Sequence, residues 1–348
     1  MQRESGRGIV VSVASFIIAI LLSAPCLPAA PSSGRITVDL HPYGFPADSG
    51  SLLFRVFYLS DDRIALFFDQ PPASLSPRDH AFKLMVLDRE THITAQLVIH
   101  GDPKAMDVMA GPGGGLLFGR GGELSFYDSN LQLLRTIPLV PGTTGVRYDR
   151  RENQLVVMTA DEKSGQRTAH FRDGTSLEEC GSLSYPLKSQ AVFGKQQLAY
   201  DVTGNCKGAA HVVSSRTEWH SLDQLLACAP LTFVTDDSLA IASPDHLYVV
   251  GSSADKKIEL RIPESSLSIP GFIGLSDDRA RLAVSVLRRK RMSAGWPYFT
   301  TVLVYDLPAK RMIFKEELEN GTAAQALSPD GRQLATIQRG ILTLTSIQ

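Results

Sequence analysis

One short phrase recurs seven times along the chain: an apolar strand, a polar turn rich in Asp and Gly, and a second apolar strand. It reads FYLSDDRIALFF at 57–68, MAGPGGGLLFG at 109–119, VRYDRRENQLVVMT at 146–159 and AVFGKQQLAYDV at 191–202. It returns as TFVTDDSLAIAS at 232–243, FIGLSDDRARLAVSV at 272–286 and QALSPDGRQLATI at 325–337. The turns centre near residues 62, 113, 151, 195, 236, 277 and 330, so successive units are about 38–53 residues apart. That period is the length of a propeller blade, a unit that cannot bury its apolar faces alone and must stack against neighbours.

Each phrase is followed by more strand-like sequence. FKLMVLD (82–88) and THITAQLVI (91–99) complete the first unit, and ELSFYD (123–128) and LQLLRTIPL (131–139) the second. LYVVGSS (247–253) and KKIELRI (256–262) serve the fifth unit, and TTVLVYDL (300–307) and RMIFKEEL (311–318) the sixth. Gly, Asp, Asn and Ser bound these runs, as hairpins require. Helical periodicity is confined to SLDQLLA (221–227), a turn or two at most. The seventh unit turns tightly at Arg339-Gly340, runs ILTLTSI (341–347) and stops with three strands. GRITVDL (34–40) is a strand without a unit. The expectation is an all-β chain forming a single β-propeller over 31–348, with seven four-stranded blades. The N-terminal strand joins the C-terminal blade and closes the ring, leaving few open edges.

The segment Ser328-Pro329-Asp330-Gly331-Arg332-Gln333-Leu334-Ala335 resembles the WD40-like repeat of TolB-type propellers, in which a Ser-Pro-Asp-Gly turn joins the inner two strands. Ser276-Asp277-Asp278-Arg279 and Ser60-Asp61-Asp62-Arg63 look like degenerate copies. The resemblance implies the fold and leaves the ligand open, because propellers host many functions. TolB proteins carry an additional N-terminal α/β domain for which this chain has no room, so their partners are not implied.

Residues 1–30 have the layout of a secretory signal. Arg3 and Arg7 precede an uncharged, largely apolar run of 16 residues from Ile9 to Ala24, and Pro25, Pro28, Ala29 and Ala30 follow. Cleavage near Ala29 would place the remainder in the periplasm or outside the cell, with no transmembrane span. An uncleaved signal would instead tether the chain to the membrane. Pro25 stands where a lipidation signal before Cys26 needs a small residue.

Beyond the signal the cysteines are Cys180, Cys206 and Cys228. Cys206 and Cys228 lie in loops on one face of the fourth unit and form a candidate disulfide in an oxidising compartment. The other reading is three buried free thiols.

Signatures of chemistry are sparse. There is no G-x-S-x-G or H-E-x-x-H, and the eight His are scattered. The recurring Asp-rich turns read as hairpin chemistry rather than calcium loops, and GPGGG (111–115) and GRGG (119–122) as tight hairpins rather than phosphate cradles. Only Trp219 and Trp296 occur, too few for quinone-binding propeller repeats. No catalytic residue, metal site or cofactor is expected.

The largest departure from the repeat is RRKRMSAGWPYF (288–299) in the sixth unit. Arg288, Arg289, Lys290 and Arg291, followed by Trp296 and Tyr298, combine charge with stacking surface. QPPASLSPRDHA (70–81) occupies the same place in the first unit, and the seventh unit between them has only a short turn. The two loops would flank a notch on one rim. The bland alternative is a solvated loop whose charges only keep it soluble. A net charge of −1 offers no global attraction to nucleic acid. The expected role is that of an exported, monomeric binding or scaffold propeller recognising a protein, an anionic glycan or a lipid headgroup. A hydrolase or lyase with its site at the central channel is the alternative.

Overall fold

The computed structural model describes residues 34–46, 54–70, 80–101, 106–202, 211–214, 219, 230–243, 245–253, 257–262, 271–289, 298–319 and 324–348. Within Arg35–Gln348 these residues form seven antiparallel sheets of strands consecutive in sequence, apart from one crossover. Blade 1 contains β2 (Phe54–Ser60), β3 (Arg63–Gln70), β4 (His80–Asp88) and β5 (Ile93–Gly101). Blade 2 contains β6 (Met106–Ala110), β7 (Leu116–Arg120), β8 (Glu123–Tyr127) and β9 (Leu133–Pro138). Blade 3 contains β10 (Thr143–Asp149), β11 (Gln154–Asp161), β12 (Gln166–Asp173) and β13 (Glu179–Pro186). In blade 4 the described strands are β14 (Ser189–Gly194), β15 (Gln197–Val202) and β16 (His211–Ser214). Blade 5 contains β17 (Leu231–Thr235), β18 (Ser238–Ala242), β19 (His246–Gly251) and β20 (Lys257–Arg261). Blade 6 contains β21 (Gly271–Leu275), β22 (Arg281–Arg289), β23 (Tyr298–Asp306) and β24 (Arg311–Glu319).

The crossover is the ring closure. Blade 7 contains β25 (Ala324–Leu327), β26 (Gln333–Gln338) and β27 (Ile341–Ser346), and β1 (Arg35–Asp39) adds its fourth strand. β1 runs antiparallel to β27, from Arg35 opposite Thr345 to Asp39 opposite Ile341. The expected closure by the N-terminal strand is therefore present. The tight turn before β27 has Arg339 and Gly340 both at positive φ, the twist that suits a two-residue hairpin.

Why the strands read as continuous apolar runs is clear from the packing. A blade's middle strands are covered on both faces, so alternation gives way to unbroken hydrophobic sequence. In β3, Ile64, Leu66 and Phe68 pack towards blade 7, whereas Ala65 and Phe67 pack towards blade 2. Seven apolar clusters fill the seven gaps between neighbouring sheets. Phe67 stacks on Phe82 in one of them, with ring centroids 5.1 Å apart.

The Asp-rich turns follow a shared chemistry. Ser276 Oγ donates to Asp278 Oδ1, Ser328 Oγ to Asp330 Oδ1 and Thr235 Oγ1 to Asp237 Oδ1, each at 2.6 Å. The two serine hydroxyls also accept the backbone N–H five residues on, from Arg281 at 2.9 Å and Gln333 at 2.8 Å. A hydroxyl at one position and a carboxylate two later thus close the turn between a blade's first two strands. Gly331 follows at φ +70°, where a Cβ would also lie 2.9 Å from the Cβ of Arg281.

GPGGG and GRGG both lie in hairpins, as their composition predicts. Cys180 is exposed on β13 with a free thiol, contrary to burial of all three. Cys206 and Cys228, like SLDQLLA and the N-terminal 30 residues, lie outside the described residues. Among the described residues no helix is long and apolar enough to cross a membrane.

Candidate functional site

The first strand of every blade faces a common axial channel. Val56, Met109, Tyr148, Val192, Ile273 and Gln325 are among its lining residues, and its volume is about 650 Å³. Because each blade is an antiparallel meander, the turns between first and second strands share one face. The links between blades, and between second and third strands, share the other. The two faces differ in chemistry.

On the face of the first turns, neighbouring blades are tied together by polar contacts. The Asp330 N–H donates to Asp61 Oδ1 at 2.8 Å, joining blades 7 and 1. The Asp277 N–H donates to the Pro329 carbonyl at 2.7 Å, joining blades 6 and 7. Gln154 Nε2 donates to the Gly194 carbonyl at 2.9 Å and Gln197 Nε2 to the Asp236 carbonyl at 3.0 Å, continuing the tie through blades 3, 4 and 5. Across the channel, Arg150 of blade 3 pairs with Asp277 of blade 6 at 3.0 Å, and Arg279 of blade 6 pairs with Glu152 of blade 3. Lys195 adds a second cation to Glu152 at 3.4 Å. Tyr148, on the channel wall beside these pairs, donates to Asn153 Oδ1 at 2.9 Å. Burial pushes its phenol up to about 12, with Arg150 opposing the rise.

Basic side chains mark the channel mouth on the opposite face. Asp107, on β6, accepts from Arg55 of β2 at 2.6 Å and from Arg147 of β10 at 2.9 Å. One carboxylate thus holds two guanidiniums from the blades on either side of it. A cleft of about 380 Å³ between blades 3 and 4 runs from this mouth, bordered by Arg147, Arg167, Tyr185 and Ser189. Burial raises the Tyr185 phenol above its ordinary value, and the charge of Arg167, a hydrogen bond from Arg167 and the charge of Arg147 oppose that rise.

Three residues of the basic segment, Lys290, Arg291 and Trp296, lie outside the described residues. Arg289 and Tyr298 are opposed in the β22–β23 ladder, with only their backbone described. Arg288 departs from the loop expectation. It sits in β22 opposite Phe299 and is only 7% exposed. The apolar run ends at Leu287, but the strand ladder continues through two further residues. The basic mouth escapes sequence reading because Arg55, Asp107 and Arg147 belong to three units. The available signal was a charge inside a strand that is otherwise apolar.

Among the described residues no group of three or more His, Cys, Asp or Glu is placed to hold a metal ion. No protein-family model and no curated protein sequence matches the chain. Among solved structures, an acylaminoacyl peptidase from Pyrococcus horikoshii matches 82% of this chain and 49% of its own, at 9% identity and a TM-score of 0.53. A hydrazine synthase from Kuenenia stuttgartiensis matches 84% of this chain and 94% of its own, at 14% identity and a TM-score of 0.50. The WD40 domain of SCAP from fission yeast matches 90% of this chain and 94% of its own, at 11% identity and a TM-score of 0.45. At these identities the likeness is one of fold alone.

Proposed function

We propose that the chain is an exported, non-enzymatic binding propeller of the cell envelope that engages an acidic partner at one face. The observation that carries this reading is the asymmetry of the channel. One mouth is spanned by Arg150–Asp277 and Arg279–Glu152, and the other presents Arg55 and Arg147 around a single carboxylate. A partner therefore has one open, basic entrance. β22 ends at Arg289 and β23 begins at Tyr298 on that same face; Lys290 and Arg291, between them in sequence, lie outside the described residues. Guanidinium groups suit carboxylate, sulfate and phosphate alike. Export rests on the signal-like residues 1–30.

Fluorescence anisotropy with labelled deca-glutamate tests the reading. Arg55→Gln combined with Lys290→Glu and Arg291→Glu is expected to weaken binding at least tenfold at low salt. Raising the salt is expected to weaken the wild type as well. Arg288 is left in place because its burial would confuse lost binding with lost folding. Equal affinity of variant and wild type would end the proposal.

A further inference from the structure

The cleft between blades 3 and 4 contains polar atoms that the fold does not use. Ser189 begins β14 and is 3% exposed, yet its Oγ meets no hydrogen-bond partner among the described residues. The Nε of Arg167 is also buried and unpartnered, and no described carboxylate pairs with this guanidinium. Buried polar groups are ordinarily satisfied, and leaving one unmet destabilises the fold. Both residues border the same cleft, beside Arg147 and Tyr185. Among the described residues Asp107 is the one carboxylate on its wall, and Arg55 and Arg147 already occupy both its oxygens. Arg55 and Arg147 thus share one carboxylate and Arg167 has no carboxylate partner among the described residues, which leaves positive charge in a partly enclosed space.

We propose that this cleft binds an oxyanion group, with Arg147 and Arg167 supplying charge and the Ser189 hydroxyl donating a hydrogen bond. A guanidinium presents a planar fork of donors that matches phosphate and carboxylate oxygens, so the shared chemistry is that of an oxyanion. Tyr185, 3% exposed at the end of β13, forms part of the cleft wall beside them. The bound group would also relieve the repulsion between cations gathered there. This inference rests on the proposed function only for the face from which a ligand arrives; the cleft opens from the deca-glutamate entrance and shares Arg147 with it, so the variants that test each site leave Arg147 in place.

The test is thermal melting of the full chain in inorganic phosphate, succinate or sodium chloride at matched ionic strength. A wild-type rise of about 2–4 °C over sodium chloride is expected near ten times the dissociation constant. A rise with phosphate alone assigns a phosphoryl ligand, one with succinate alone a carboxylate, and both confirm the shared chemistry. Arg167→Gln is expected to abolish the rise while melting normally in sodium chloride. Ser189→Ala is expected to weaken affinity about 3–10-fold, the effect of one hydrogen bond. No rise in the wild type, or an equal rise in Arg167→Gln, would overturn the proposal. Should Arg167→Gln fail to fold, unchanged affinity in Ser189→Ala overturns it. Deca-glutamate binding is read through Arg55, Lys290 and Arg291, so loss of the oxyanion effect with that binding intact refutes the cleft alone.

Discussion

Arg150, in the first turn of blade 3, reaches across the channel to Asp277, in the first turn of blade 6, with Nη2 donating to Oδ1 at 3.0 Å. The two residues are 127 positions apart in the chain and belong to blades that share no sheet contact. Their pairing spans the ring where neighbour-to-neighbour contacts cannot, and it divides the channel into a bridged end and an open one.

A double-mutant cycle of Arg150→Ala and Asp277→Ala measures that link. Both side chains are partly exposed, so the coupling is expected at about 0.2–1 kcal/mol and should shrink as salt is added. Denaturant unfolding of the four proteins gives the value. Strict additivity would mean that the pair does not brace the ring.

The hydroxyl–carboxylate turn gives stability a pH dependence. The Ser276 hydroxyl, and then the Ala280 N–H, hold the Asp278 carboxyl below the usual carboxylate range. A depressed folded pKa means that the contribution is present above the unfolded value near 3.8 and fades as pH falls through the folded one. Ser276 is fully buried and its Oγ also accepts the Arg281 N–H, so Ser276→Ala is expected to cost about 1–3 kcal/mol at pH 7. The gap from wild type should narrow below about pH 4 as the carboxyl takes up its proton. A gap independent of pH would show that the hydroxyl–carboxylate bond contributes nothing.

These relationships differ in how openly the sequence displays them. The seven strand–turn–strand phrases exposed the fold because one local chemistry repeats: Ser328 and Asp330 form the same hydrogen bond as Ser276 and Asp278. Ring closure was legible too, since the last unit lacked a strand and Ile36 and Val38 formed one without a unit. Arg150–Asp277 was not legible, because the ring's geometry rather than residue spacing decides which turns meet across it. Arg147, Arg167 and Ser189 converge for a similar reason, from three strands of two blades. Arg288 lies in β22 rather than in a loop because pairing with Phe299 carries the strand past the end of its apolar run.

The claim on which the rest depends is that the channel admits a partner from one face only. Amide hydrogen exchange of the chain, with and without bound deca-glutamate, tests it most directly. Slower exchange is predicted in the described segments at the basic mouth, around Asp107 and Thr143–Arg147. The turns at Asp149–Asn153, Ser276–Arg281 and Ser328–Gln333 should be unchanged. Protection of those turns, with the basic mouth unaffected, would contradict the account.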